Sequence, residues 1–301
     1  MATALLKKEF SSELVPSPVE YAVLLPEGYE QSDEAYPLLY FLHGGNGDRS
    51  FLELMRPLIE RTISSGKLPK VVAVTPSVSR SLYMDYRDGS QKWEQFLIGP
   101  FLNHLRMEYR LIPDRQGTLL FGISMGGMGG LRLGFKYPDL FAALAALEPG
   151  IEPALAFGDI QVEDRFWRSD ELFEEIFGIP VNETYWEMNN PANIALKNRE
   201  KIVHSNLGIY IECGDEDSFG LDRGTEFLHR LLRDHRISHE YHLVKGADHL
   251  GSSLGPRSEE GLAFLGRMLN PPPPGPEVET LRRMITQWKE MWKNQKGIEI
   301  S

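Results

Sequence analysis

Three side chains set far apart in the chain, Ser124, Asp217 and His249, are of the types that together perform nucleophilic acyl chemistry. Ser124 stands in Gly122-Ile123-Ser124-Met125-Gly126, after the apolar run Thr118-Leu119-Leu120-Phe121 and before a helical pattern (Leu131, Leu133, Phe135) that stops at Pro138. A serine between a buried strand and a helix, with glycine two residues to either side, marks a tight turn that displays its hydroxyl. Gly122 and Gly126 leave out side chains that would collide as the chain doubles back, and backbone strain is expected at the serine itself. The following helix turns its free amides and positive dipole end toward any negative charge forming there, so the Met125 amide is expected to be one oxyanion donor.

A hydroxyl is a weak nucleophile at neutral pH and needs a base, which in turn needs an acid to orient it. Of the eight histidines, His249 follows the final strand pattern (His239 to Val244) in a loop, Gly246-Ala247-Asp248-His249, able to reach the serine. His229 and His235 fall on a polar helix face, and His239 and His242 belong to the strand itself. Asp215 and Asp217 both follow the strand Leu207 to Gly214, with Glu216 between them. Asp217 is preferred, because the chain needs a couple of residues after Gly214 to turn back toward the imidazole, whose tautomer it would hold. A second oxyanion element is expected where the apolar run Pro37 to Leu42 ends in His43-Gly44-Gly45, with the Gly45 amide as donor, Gly44 as the alternative and His43 fixing the loop. Gly44, with Tyr83 and Asp85 from the loop after Val71 to Thr75, is expected to line the substrate pocket; simple loop packing is the alternative for Tyr83 and Asp85.

These loops fall on one rim only if the strands between them run the same way. Strand and helix patterns alternate repeatedly: strands from Val19, Pro37, Val71, Thr118, Phe141, Leu207 and His239, and helices over Phe51 to Ser64, Trp93 to Arg110, the stretch after Ser124, around Phe227 to Leu232, and Ser258 to Leu269. That alternation implies an α/β fold with a mainly parallel, doubly wound sheet and ligands at the carboxyl ends of its strands. It lapses over 151–206, an aromatic and acidic stretch (Phe157, Phe166, Trp167, Phe173, Phe177, Tyr185, Trp186) too long for a plain connection, expected to form a cap or lid whose aromatics shape the acyl or alcohol pocket in part and form the lid's own core for the most part. Residues 1–270 then form the catalytic domain. Over 271–301, a stiff run of prolines leads into a helix with Val278, Leu281, Ile285, Trp288 and Trp292 at three- and four-residue steps. This helix is expected either to dock on the core or to pair with a second subunit as a homodimer.

Composition narrows the function classes. With 32 basic and 43 acidic residues, a net charge of −11 and no lysine- or arginine-rich run, nucleic acid is an unsuitable partner. The one cysteine, Cys213, forbids an intrachain disulfide and a cysteine-based zinc site, which fits a reducing, cytoplasmic setting. No signal peptide or membrane-spanning stretch stands out.

Taken together, Leu42-His43-Gly44-Gly45, Tyr83-Met84-Asp85-Tyr86, Gly122-Ile123-Ser124-Met125-Gly126-Gly127, Gly214-Asp215-Glu216-Asp217 and Asp248-His249 resemble the α/β-hydrolase esterases that include S-formylglutathione hydrolases, feruloyl esterases and antigen 85 acyltransferases. The resemblance covers roughly residues 18 to 269 and leaves out the proline-rich tail. It implies an α/β-hydrolase fold with Ser124 as nucleophile, Asp217 as acid, His249 as base, and oxyanion amides at Gly45 and Met125. It further implies a serine carboxylesterase acting on small-molecule esters through an acyl-enzyme, with no metal or organic cofactor. Acyl transfer or thioester hydrolysis on the same residues is the alternative chemistry, and a binding protein of the same fold without catalysis is the alternative class.

Overall fold

The computed structural model describes residues 3–296. Eight strands form one sheet: β1 (Ala4–Phe10), β2 (Val19–Leu25), β3 (Leu38–Leu42), β4 (Val72–Pro76), β5 (Thr118–Ile123), β6 (Ala143–Leu147), β7 (Gly208–Gly214) and β8 (Glu240–Val244), in the order β1-β2-β4-β3-β5-β6-β7-β8. β1 and β2 run antiparallel at one edge, and β4, β3, β5, β6, β7 and β8 are mutually parallel. The helices are α1 (Ser50–Ser64), α2 (Trp93–Phe96), α3 (Leu102–Glu108), α4 (Met125–Lys136), α5 (Asp170–Phe177), α6 (Glu183–Asn189), α7 (Pro191–Lys197), α8 (Arg199–Ser205), α9 (Leu221–Asp234), α10 (Leu254–Leu269) and α11 (Pro276–Lys296).

The period-two geometry of strands divides their side chains between two cores. Leu38, Tyr40 and Leu42 of β3, with Leu120 of β5 and Ile209 and Ile211 of β7, join a core shared with α2, α3, α4, α9 and the inserted helices. Leu39 and Phe41, with Leu119, Phe121 and Tyr210, face the other side, where Leu52 and Ile59 of α1 and Leu262 and Leu265 of α10 cover them. A sheet buried on both faces accounts for the continuous apolar runs in its parallel strands.

Two segments differ from their sequence pattern. β1 is an additional edge strand whose Lys7, Lys8 and Glu9 hide the alternation; charge on an edge strand discourages pairing with other chains. The expected helix from Trp93 to Arg110 is instead α2, a π-helical turn over Leu97–Phe101, and α3. Pro100 lies inside that turn, and a proline can neither donate the regular helical hydrogen bond nor fit its ring against the preceding turn, so the register widens.

Within the stretch 151–206, α5 to α8 follow short 3₁₀ turns. Phe157 packs on Phe173 and Trp186, and Phe177 packs on Phe173 and Tyr185, within the core that these helices share with the sheet. The fully buried guanidinium of Arg132 on α4 locks the insertion down: it donates to Asn189 O at 2.8 Å, Asn189 Oδ1 at 2.6 Å, Tyr83 O at 3.0 Å and Glu94 Oε2 at 2.8 Å.

A second compact unit begins at Asn270 and, among the described residues, holds one helix, α11. Among the described residues, no helix is long and apolar enough to cross a membrane.

Replacing Arg132 by Ala leaves the main-chain carbonyls of Asn189 and Tyr83 without their guanidinium donor in the interior, while Glu94 keeps Lys136 and Tyr137 as partners. The expected cost is about 1–3 kcal/mol of unfolding free energy for each unpaired carbonyl, read by urea denaturation of the full chain.

Candidate active site

The strand register brings the sequence-distant candidates to one edge. Leu42 is level with Gly122, Ile123 with Leu147, Leu147 with Glu212, and Gly214 with Val244, so β3, β5, β6, β7 and β8 all end at the same rim. Ser124 leaves β5 and caps α4 with φ 57° and ψ −118°, a conformation costly for a residue with a side chain. Its neighbours over-determine it: Ser124 N donates to Leu147 O at 2.9 Å, and Ser124 O accepts from Met128 N at 3.0 Å and Gly150 N at 3.2 Å. The flanking glycines are required sterically. A Cβ on Gly122 would lie 2.1 Å from Gly126 O, and one on Gly126 would lie 2.1 Å from Leu42 O. Met125 begins α4, so its N–H has no acceptor within the helix.

His43 is buried and organises the loop after β3. Its Nε2 accepts from Val78 N at 3.1 Å and its Nδ1 donates to Gly44 O at 2.7 Å, while Gly47 N donates to the same carbonyl at 3.0 Å. Burial holds the His43 pKa below its ordinary value, in keeping with the neutral ring those two bonds require. A trans peptide points its C=O and N–H in opposite directions, so fixing the Gly44 carbonyl also aims the Gly45 N–H away from those partners. A Cβ on Gly44 would come within 3.7 Å of the Ser124 Cβ, so this loop lies directly against the serine.

The Asp217 side chain ties the loop after β7 to the loop after β8. Its Oδ1 accepts from Phe219 N at 2.8 Å and Leu221 N at 3.3 Å, and its Oδ2 lies 2.7 Å from His249 Nδ1. Asp215 turns away, bound to Lys245 Nζ at 2.7 Å and Gly246 N at 2.6 Å. Asp248 braces the histidine loop by accepting from Ser218 N and Ser218 Oγ, each at 2.7 Å. For His249, burial works to lower the pKa but is outweighed by the Asp217 hydrogen bond and the charges of Glu148, Asp217 and Asp248, which leave it raised.

Ser124, Met125, Gly44, Gly45 and His249 line one cavity of about 410 Å³. Its far wall comes from Trp167, Arg168 and Leu172 of the insertion, with Phe219 set edge-on to the His249 ring at 4.7 Å. Tyr83 and Asp85 are not brought to this cavity. The Tyr83 hydroxyl donates to His43 O at 2.9 Å and its ring packs on α4 at Gly129, while Asp85 accepts from Gln95 N and Nε2. Their loop-packing alternative describes these positions. Of the aromatics in 151–206 that could shape the pocket, Trp167 lines this cavity; sequence reasoning passed over Arg168 as a pocket residue and over Glu148 and Arg257, which lie buried behind His249. The available signal was a carboxylate directly after the strand beside the serine strand; Arg257, in a helix that also carries Glu259, Glu260 and Arg267, offered none.

Ligand atoms of Glu148, Asp217 and His249 lie within 4.8 Å of one another, near enough to hold a cation. Arg257 already places a positive charge on Glu148, and the Asp217–His249 hydrogen bond uses the atoms a cation would need.

The sequence profile of the family described as Putative esterase matches residues 11–253. The chain belongs to this esterase family. An esterase of Mycobacterium tuberculosis (strain ATCC 25618 / H37Rv) is 32% identical over 127 residues, which is 41% of this chain and 27% of that protein, so the match spans only about a quarter of that relative. Among solved structures, a ferulic acid esterase superposes with a TM-score of 0.71 at 23% identity, covering 89% of this chain and 100% of that one. An S-formylglutathione hydrolase from Agrobacterium tumefaciens gives 0.71 at 18% identity over 89% and 96% of the two chains. The fold of this esterase-family chain is thus the α/β-hydrolase fold, with a mixed, mostly parallel sheet.

The steric requirement at Gly126 is directly testable. Gly126→Ala forces backbone of α4 against backbone of β3, and a loss of about 1–3 kcal/mol or more is expected from thermal unfolding of the purified variant.

Proposed function

We propose that this protein is a serine carboxylesterase that works through an acyl-enzyme. The observation that carries the proposal is the 2.7 Å contact of Asp217 with His249 Nδ1 in a histidine that shares one cavity wall with the strained Ser124. In this reading His249 takes the Ser124 proton as the oxygen attacks the ester carbonyl, and Asp217 balances the imidazolium that results. The Met125 and Gly45 amides hold the oxyanion, each contributing about 10²–10³ in rate as such donors typically do. The protonated imidazole then passes its proton to the leaving alcohol. Water, activated by the same base, releases the acid.

A cavity of about 410 Å³ suits a small-molecule ester. A wall with Trp167, Leu172 and Phe219 favours an apolar or aromatic group beside the scissile bond.

The chemistry is tested with p-nitrophenyl esters of increasing acyl length on wild type and Ser124→Ala. Ser124→Ala is expected to reduce kcat on the order of 10⁴-fold or more, and to abolish labelling by a fluorophosphonate; an active, folded Ser124→Ala would overturn the proposal. The base must be neutral to act, and its pKa is raised. So kcat/KM should fall, as pH is lowered, through a pKa above the ordinary histidine value of about 6.5.

We further propose that α11 pairs with its copy on a second chain. Val278, Leu281, Ile285, Trp288 and Trp292 follow the alternating three- and four-residue spacing of a helix–helix seam. The full chain should sediment as a dimer and a chain ending at Leu269 as a monomer; equal association states would overturn this.

A further inference from the structure

Glu148 directly follows β6, the neighbour of the serine strand, in the left-handed backbone region with φ 47°. Its N–H donates to Glu212 O at 2.7 Å, which turns the side chain inward beneath the rim, where it is fully buried. One carboxylate oxygen, Oε1, is held by Arg257 Nη2. The other, Oε2, has no hydrogen-bond donor and lies 3.3 Å from His249 Nδ1, the nitrogen that Asp217 Oδ2 meets at 2.7 Å. Arg257 is itself fixed, by Glu212 Oε1 at 3.0 Å and Asp248 O at 2.8 Å. An imidazole nitrogen carries one proton, and here two carboxylates from different strands converge on it.

Resting on the triad reading above, we propose that Glu148 is a second carboxylate for the imidazole, a positioning residue that Arg257 aims at Nδ1 of His249 and that shares with Asp217 the charge of the imidazolium. A structural ion pair with Arg257 would not require the second oxygen to remain without a donor against Nδ1. A buried acceptor left in that state is costly unless charge appears opposite it, and the imidazolium supplies that charge during turnover. Burial pushes the Glu148 carboxyl up to about 7 against the opposing pull of His249 and Arg257, so it carries its charge above neutrality. The charged and titratable groups around this pair are Asp217, Glu212 and Cys213 from β7 and its loop, Arg257 from α10, and Asp248 from the histidine loop. Glu148 and His249 therefore titrate as a coupled unit.

The test is a pH profile of kcat and KM on a p-nitrophenyl ester for wild type, Glu148→Gln, Asp217→Ala, the double variant and Ser124→Ala. An anion beside the imidazole favours its protonated form, so Glu148→Gln should move the acidic limb of kcat/KM to lower pH. It should also lower the plateau kcat about 10-fold while KM stays within about 2-fold. Asp217→Ala leaves Glu148 as the remaining acceptor and should lose no more than about 10²-fold, against the roughly 10⁴ lost where a triad acid has no stand-in. The double variant should fall well below Asp217→Ala. An unmoved acidic limb in Glu148→Gln overturns the proposal, as does a full loss in Asp217→Ala; the latter variant leaves the Glu148–Arg257 pair intact and decides the matter if Glu148→Gln fails to fold. An inert Ser124→Ala beside either of those results discards the role of Glu148 alone, whereas an active Ser124→Ala discards the triad reading itself.

Discussion

The site depends on one backbone-to-backbone approach, that of the first turn of α4 to the end of β3. At Gly126 the two chains come so close that a single carbon would be 2.1 Å from Leu42 O. That proximity sets the serine turn and the His43-Gly44-Gly45 loop side by side. The other parts of the site then arrive by strand register, since parallel strands ending level with one another present their following loops to a common rim. The strain at Ser124 is borne by a hydrogen bond to Leu147 O and by those it accepts from Met128 N and Gly150 N, all of them backbone groups that the same packing holds in place.

Behind the rim lies an unusually charged interior. Glu148, Glu212, Asp217, Arg257 and His249 are all buried together, with one permanent cation among three carboxylates. Burial pushes both glutamates up to about 7, so the cluster sheds part of its negative charge near neutrality. Asp217 is served differently, by two backbone amides as well as the imidazole. Two kinds of carboxylate thus face the same ring, one fixed by main chain and one by an arginine.

What could be read from the sequence was what is local. Gly122-Ile123-Ser124-Met125-Gly126 carries its strand, turn and helix context within a few residues, and the loops holding Asp217 and His249 each follow a recognisable strand. The alternation of apolar runs and helical spacing likewise revealed a mainly parallel sheet. What escaped depends on contacts across the fold. Glu148 and Arg257 are 109 positions apart and meet only through β6, β7 and α10. Tyr83 reads as a pocket aromatic until the hydroxyl is seen on His43 O. β1 conceals its pairing under edge charges, and Pro100 converts a helical pattern into a wider turn.

The division of labour between the sheet and the insertion has an evolutionary corollary. Ser124, Asp217 and His249 stand on loops fastened to the sheet, whereas Trp167, Arg168 and Leu172 come from a separate stretch that Arg132 ties down at Asn189. In the mechanism proposed above, substitutions or small insertions in that wall would reshape which acyl or alcohol group is admitted without disturbing the three residues beneath it. A lineage can therefore diversify its diet by editing one contiguous piece of gene.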